Sequence, residues 1–216
     1  MSRVFIILAI LFGFIMSGLS QVPSDIQQIR EQIRQFEKER FLQQLPYLSK
    51  TPTPNQRLFD IHSYTLNLSL WPTTQLLNGS VRILGESLTG SLTHIEIDLF
   101  SNMQVDSVVQ DGALLSYTHA SDLVDIQLNG AVGTSGFFEV EVYYHGNPQS
   151  GGLGTWGWDY HQGNPIIWTL SEPFGAPAWW PCKDDPADKA DSVFVNATVP
   201  NSLIVASNGL LQAVTP

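Results

Sequence analysis

Trp168 to Asp191 (WTLSEPFGAPAWWPCKDDPADKAD) holds the densest set of groups able to do chemistry. Glu172, Lys183, Asp184, Asp185, Asp188 and Lys189 lie there among bulky aromatics. Adjacent carboxylates such as Asp184 and Asp185 point to opposite faces of a strand and rarely converge on one ligand. Asp-Asp-Pro reads instead as a turn whose side chains cap backbone N–H groups. Glu172 is the stronger candidate for binding. It follows an apolar strand, Ile166 to Trp168, and precedes Pro173, where regular pairing must weaken. A carboxylate at a strand end beside aromatics can receive an ammonium group; the alternative is a solvated edge residue. Cys182 is the single cysteine, so neither an internal disulfide nor a thiolate metal site is available, and it reads as a small buried hydrophobe. The histidines are His62, His94, His119, His145 and His161. None forms an i, i+4 pair, and no H-E-x-x-H occurs, so no catalytic or metal-ligating residue is expected in the chain.

The elements that must position these groups change character along the chain. Arg3 followed by the uncharged run Val4 to Met16 reads as a secretory signal peptide over residues 1–20, too short to span a bilayer, so no stable membrane anchor is expected. Ser24 and Gln27 sit at capping-box spacing, and Ile26, Ile29, Ile33 and Phe36 recur with helical period. The spacing predicts one amphipathic helix stopping before Pro46, then a Pro- and Thr-rich linker, together residues 21–57. From Leu58 the period becomes two. Tyr64–Leu70, Val81–Ile83, Ile95–Leu99, Val124–Leu128, Phe138–Tyr144 and Val193–Val199 alternate apolar with polar residues, and Asp111-Gly112 and Asn208-Gly209 are turn signals. This predicts an all-β body over 58–216, an antiparallel multi-stranded sandwich or saddle-like domain behind one N-terminal helix. Trp156, Trp158 and Tyr160 share one face at strand spacing. They read either as packing or as an aromatic platform for sugar. The ten Lys and Arg residues against 20 acids, a net charge of -10, exclude a nucleic-acid partner. Three Asn-x-Ser/Thr triplets begin at Asn67, Asn78 and Asn196 and matter only in a host that glycosylates exported proteins.

The acidic stretch resembles the N-terminal domain of the aminopeptidase N family of zinc metallopeptidases, the gluzincins. That family reads, in outline, Thr-Gln-x-Glu-Pro-x-x-Ala-Arg and then Pro-Cys-x-Asp-x-Pro-x-x-Lys-Ala. Here Thr169, Glu172, Pro173 and Ala176 stand at the matching places, followed by Pro181, Cys182, Asp184, Pro186, Lys189 and Ala190. Tyr64 to Ile83 resembles the family's opening hairpin, and Val205 to Gly209 its strand into Ser-Asn-Gly. Leu170 stands where many members have Gln, and Pro177 where many have Arg.

The resemblance implies that the chain is the N-terminal, substrate-pocket-forming part of an exported zinc metallo-aminopeptidase, secreted or periplasmic. Peptides would be its substrates, engaged by their free N-terminus. Zinc would be bound outside this chain, where it would polarise the peptide carbonyl and activate water beside a general-base glutamate. Glu172 would be the substrate-binding residue here, accepting charge-assisted hydrogen bonds from the α-ammonium. Cys182, Asp184, Pro186 and Lys189 would shape the turn below it. The Gly-x-Met-Glu-Asn segment of the family is absent, and the chain reads as a front piece incomplete at its C-terminus. The alternative is a secreted β-sandwich module that binds carbohydrate or protein without catalysis.

Overall fold

Phase changes in the apolar alternation decide how the strands pair. The computed structural model describes residues 26–35, 38–39, 51–149, 155–171 and 174–215. The chain divides into two units, Met1–Gln43 and Gln44–Pro216. In the first, residues 26–35 and 38–39 are helical, as the apolar spacing predicts.

Among the described residues, the regular structure of the second unit is β apart from two short 3-10 turns. Its long central strand β1 (Phe59–Trp71) buries Phe59 and Ile61, then Tyr64, Leu66 and Leu68. The alternation slips at a bulge between Ile61 and Ser63, which turns His62 outward. β2 (Leu76–Ser87) pairs antiparallel with β1 and supplies Val81 and Ile83, both fully buried. β3 (Leu92–Asp98) follows, then β4 (Met103–Gln110), whose buried set changes phase at a second bulge between Val105 and Ser107. β4 has no unbroken period-two run for that reason, and the alternation read from the sequence passes over it. β5 (Ala113–Leu114) returns through Asp111-Gly112, both at positive φ (51° and 79°), the hairpin turn that this dipeptide predicts. β6 (Tyr117–Ala120), β7 (Leu123–Val132) and β8 (Phe137–Gly146) complete the first part of the body. β9 (Trp156–His161) and β10 (Asn164–Thr169) form a separate hairpin, and β11 (Ser192–Thr198) is the last strand.

Among the described residues three sheets result: β11-β1-β2-β8-β4-β5, β3-β7-β6, and β10-β9. All pairings are antiparallel except β1 with β11, which is parallel. A parallel neighbour needs a long crossover, and more than a hundred residues separate these two strands. Buried side chains of the two larger sheets, including Val81, Ile83, Val140 and Val142 with Ile95, Ile97, Val124 and Ile126, form one continuous core that also takes in Trp156 and Cys182. Residues 205–209, which resemble a family strand in sequence, form no strand.

The outer face of the large sheet carries a polar row. Asn196 Nδ2 donates to Asn67 Oδ1 (2.9 Å), Asn67 Nδ2 to Ser80 Oγ (3.1 Å), and Ser80 Oγ to Glu141 Oε1 (2.7 Å). All three Asn-x-Ser/Thr triplets sit side by side here, on β11, β1 and β2.

Candidate functional site

Beyond β10 the chain leaves regular structure, and the acidic stretch is tied down residue by residue. Ser171 Oγ accepts the indole N–H of Trp179 (2.9 Å). Gly175 has φ of +108°, and its backbone lies against Thr155, where a Cβ would run into the threonine methyl. Its N–H donates to Asp184 Oδ2 (3.2 Å), and a short 3-10 helix, Ala176–Ala178, follows. Asp185 Oδ1 accepts the Ala187 N–H (3.0 Å). The Asp184-Asp185-Pro186 turn thus caps backbone donors with both carboxylates, as the sequence predicts, and the two do not converge.

Cys182 is buried and bridges Asp98: Asp98 N–H donates to Cys182 O (2.7 Å) and Cys182 N–H to Asp98 O (3.0 Å). The Asp98 carboxylate, also buried, accepts the Asp184 N–H (2.9 Å) and the Gln56 amide (3.0 Å). Gln56 and Asn55 are themselves buried, so the end of the linker is packed onto β3 through a 3-10 turn, Asn55–Arg57. From β1, Tyr64 Oη accepts the Lys183 N–H (3.0 Å); from β8, Tyr144 Oη donates to Trp179 O (3.0 Å). Burial pushes both phenols well above their ordinary pKa, so they stay protonated. No local pattern marks these anchors, because they come from strands more than thirty residues upstream.

Lys183 is 8% exposed, an uncommon place for a lysine. Its ammonium pairs with Asp188, donates to Phe59 O (2.7 Å) and lies over the Phe59 ring at 4.7 Å. Asp60 shares a hydrogen bond with the Asp188 carboxyl, and this, with burial, raises its pKa.

Above this turn lies an aromatic wall. Tyr64 meets Trp180 edge-on at 4.8 Å, Trp180 meets Trp179 at 5.9 Å, and Trp156 lies 5.5 Å from Trp179 and 5.2 Å from Trp158. Trp156 is 3% exposed and Tyr160 61% exposed. A buried ring cannot stack on a sugar, so Trp156 is a packing residue and no three-ring platform forms; Trp158 is half-buried and packs against the core. The Trp156 indole N–H is the one buried side-chain donor without an acceptor among the described residues. A hollow of about 280 Å³ opens beside the wall, lined by Tyr64, Ser171, Trp180, Lys183 and Asp185 among others. Glu172, the predicted substrate-binding residue, lies outside the described residues, as does Pro173. Its flanks, Ser171 and Gly175, are anchored as above.

Residues 61–216 match the Peptidase M1 N-terminal domain. The chain belongs to this family. The M1 domain begins within β1 and takes in the whole anchored stretch. Its fold is shared with solved structures. An M1 zinc metallopeptidase of Deinococcus radiodurans, a mutant bound to a Tyr-Ser-Ala substrate, is 28% identical, with a TM-score of 0.65 over 75% of this chain and 37% of that one. The same enzyme's mutant without that substrate gives 28% identity and a TM-score of 0.67, covering 77% and 38%. Native yeast LTA4 hydrolase shares the fold at 18% identity, with a TM-score of 0.57 over 70% of this chain and 26% of that one. The chain spans less than two-fifths of the length of the Deinococcus enzymes. Comparison with curated proteins gives no match. M1 relatives are zinc metallopeptidases, but this chain has no H-E-x-x-H, so its residues do not supply that family's catalytic zinc site.

Proposed function

We propose that this M1 domain is the N-terminal, pocket-forming part of an exported aminopeptidase, secreted or periplasmic. Its substrates are peptides, recognised by the free N-terminus, and its catalytic zinc is bound outside residues 1–216. The single observation carrying this reading is the family match over residues 61–216, a range that includes the Glu172-Pro173 pair whose resemblance was read from the sequence. Export rests on Arg3 and the apolar run after it.

Glu172 accepts charge-assisted hydrogen bonds from the peptide α-ammonium, which fixes register so that only the first peptide bond meets the metal. With Leu170 standing where many members have Gln, only Glu172 of the family's Gln-plus-Glu pair is left to grip the amine.

Sequencing the gene past the Pro216 codon tests the assignment. An H-E-x-x-H with a glutamate downstream is expected. Unrelated repeats or a stop codon there would favour a secreted binding module.

A further inference from the structure

Glu96 on β3 stands directly opposite Asp125 on β7, and His94, two residues along β3, stands opposite Gln127. Residues i and i+2 of a strand share a face, so all three side chains project together. One ligand atom from each of His94, Glu96 and Asp125 lies within 4.8 Å of the others, and all three residues are half-buried. Like charges directly opposed across strands repel. Among the described residues the lysine and arginine ion pairs all lie elsewhere, at Arg34, Arg82 and Lys183, and Asp125 receives only the Gln127 amide (3.1 Å).

The scaffold beneath is rigid. Ile95, Ile97, Val124 and Ile126, on the other face of the same strands, are fully buried. The outer edge of β3 is held as well. Asn55 Nδ2 donates to His94 O (3.0 Å), and Glu96 N–H donates to Asn55 Oδ1 (2.8 Å). Ligands on fixed strands are placed more accurately than ligands on loops. The contrast with His62 is instructive. That ring also meets two carboxylates, but through opposite nitrogens, Nδ1 to Asp191 and Nε2 to Glu86, so the three groups cannot converge on one ion.

We propose that His94, Glu96 and Asp125 form a binding site for a divalent transition cation of the zinc type. An imidazole with two carboxylates suits such an ion, whereas calcium and magnesium prefer all-oxygen sets. At bond lengths of roughly 2.0–2.2 Å, two ligands of one ion are at most about 4.4 Å apart. The cluster therefore needs to close by less than about 1 Å, within the reach of Glu96 side-chain rotation. The bound ion neutralises the opposed carboxylates and ties β3 to β7, and water completes its coordination. The sequence expectation of no ligand set weighed histidines at helical spacing. It had no view of Asp125, which only strand pairing brings to Glu96.

Calorimetric titration of the 216-residue chain with zinc tests the site. One zinc per chain is expected, with affinity at least tenfold weaker in His94→Gln and in Glu96→Gln and unchanged in His161→Gln, a histidine remote in sequence at the end of β9. Melting of metal-free Glu96→Gln separates loss of a ligand from loss of fold. Its Tm should equal or exceed that of the parent chain, because the like-charge contact is gone, and zinc should raise the parent's Tm but not the variant's. Absence of saturable binding, zinc affinity indifferent to both substitutions, or calcium bound as tightly as zinc would overturn the proposal.

Discussion

Tyr64 and Asp98 do for the acidic stretch what a disulfide does in other domains. Each reaches from a strand into a loop and satisfies a donor that would otherwise be stranded in the core. Tyr64→Phe removes the acceptor for the Lys183 N–H while keeping the ring against Trp180. A buried donor left unsatisfied costs about 1–3 kcal/mol. Tyr64→Phe should lower unfolding stability by that amount in a urea melt, with unchanged m-value. A neutral result would mean that Lys183 finds another acceptor and that the turn is held elsewhere. Chemistry-bearing residues were partly legible at this scale. The capping role of Asp184 and Asp185 followed from an Asp-Asp-Pro sequence, because such turns are local. The Lys183–Asp188 pair, with Asp60 beside it, was not legible, since its enclosure depends on β1.

At the level of elements, β11 is a strand attached with little packing. It is parallel to β1 at the sheet edge, and Val193, Phe194 and Val195 are exposed. Its entry is clamped by His62, bulged out of β1, which meets Asp191 (2.8 Å) and Glu86 (3.1 Å) and lies by the Phe137 ring. The Asp191 contact, then Glu86, raises the His62 pKa above its ordinary 6.5, with Asp60 adding to the same effect; His62 in turn, with Ser135, lowers that of Glu86 below 4.5. A histidine whose pKa rises on folding contributes stability that is complete below pH 6.5 and is lost as pH climbs through the raised value. The depressed Glu86 contributes above pH 4.5 and fades as pH falls through its lowered value. Tm should therefore decline as pH rises from about 6.5, and His62→Gln should flatten that decline. A slope identical in the variant would assign the pH dependence to other groups. Strands with unbroken alternation, such as β8, were readable from sequence. β4 was not, because a bulge at Asp106 reverses its phase, and the parallel placement of β11 follows from crossover topology that no local pattern encodes.

At the scale of the whole β unit, three sheets among the described residues support an acidic loop tied to its surroundings through Ser171 and Gly175, with an aromatic wall beside it. Family membership makes this an M1 N-terminal domain, and the proposal adds that Glu172 grips the substrate amine. The most direct measurement is the kinetics of Glu172→Gln in the enzyme that carries the catalytic zinc domain, with a free-amine peptide and its N-acetylated counterpart. Glutamine keeps the shape and one acceptor oxygen but removes the charge. A charge-assisted hydrogen bond is worth roughly 1.5–3 kcal/mol, so kcat/KM for the free amine should fall by about one to two orders of magnitude. The slow turnover of the acetylated peptide and the zinc content should hardly change. An equal loss on both substrates would contradict amine recognition and make Glu172 a residue of the fold.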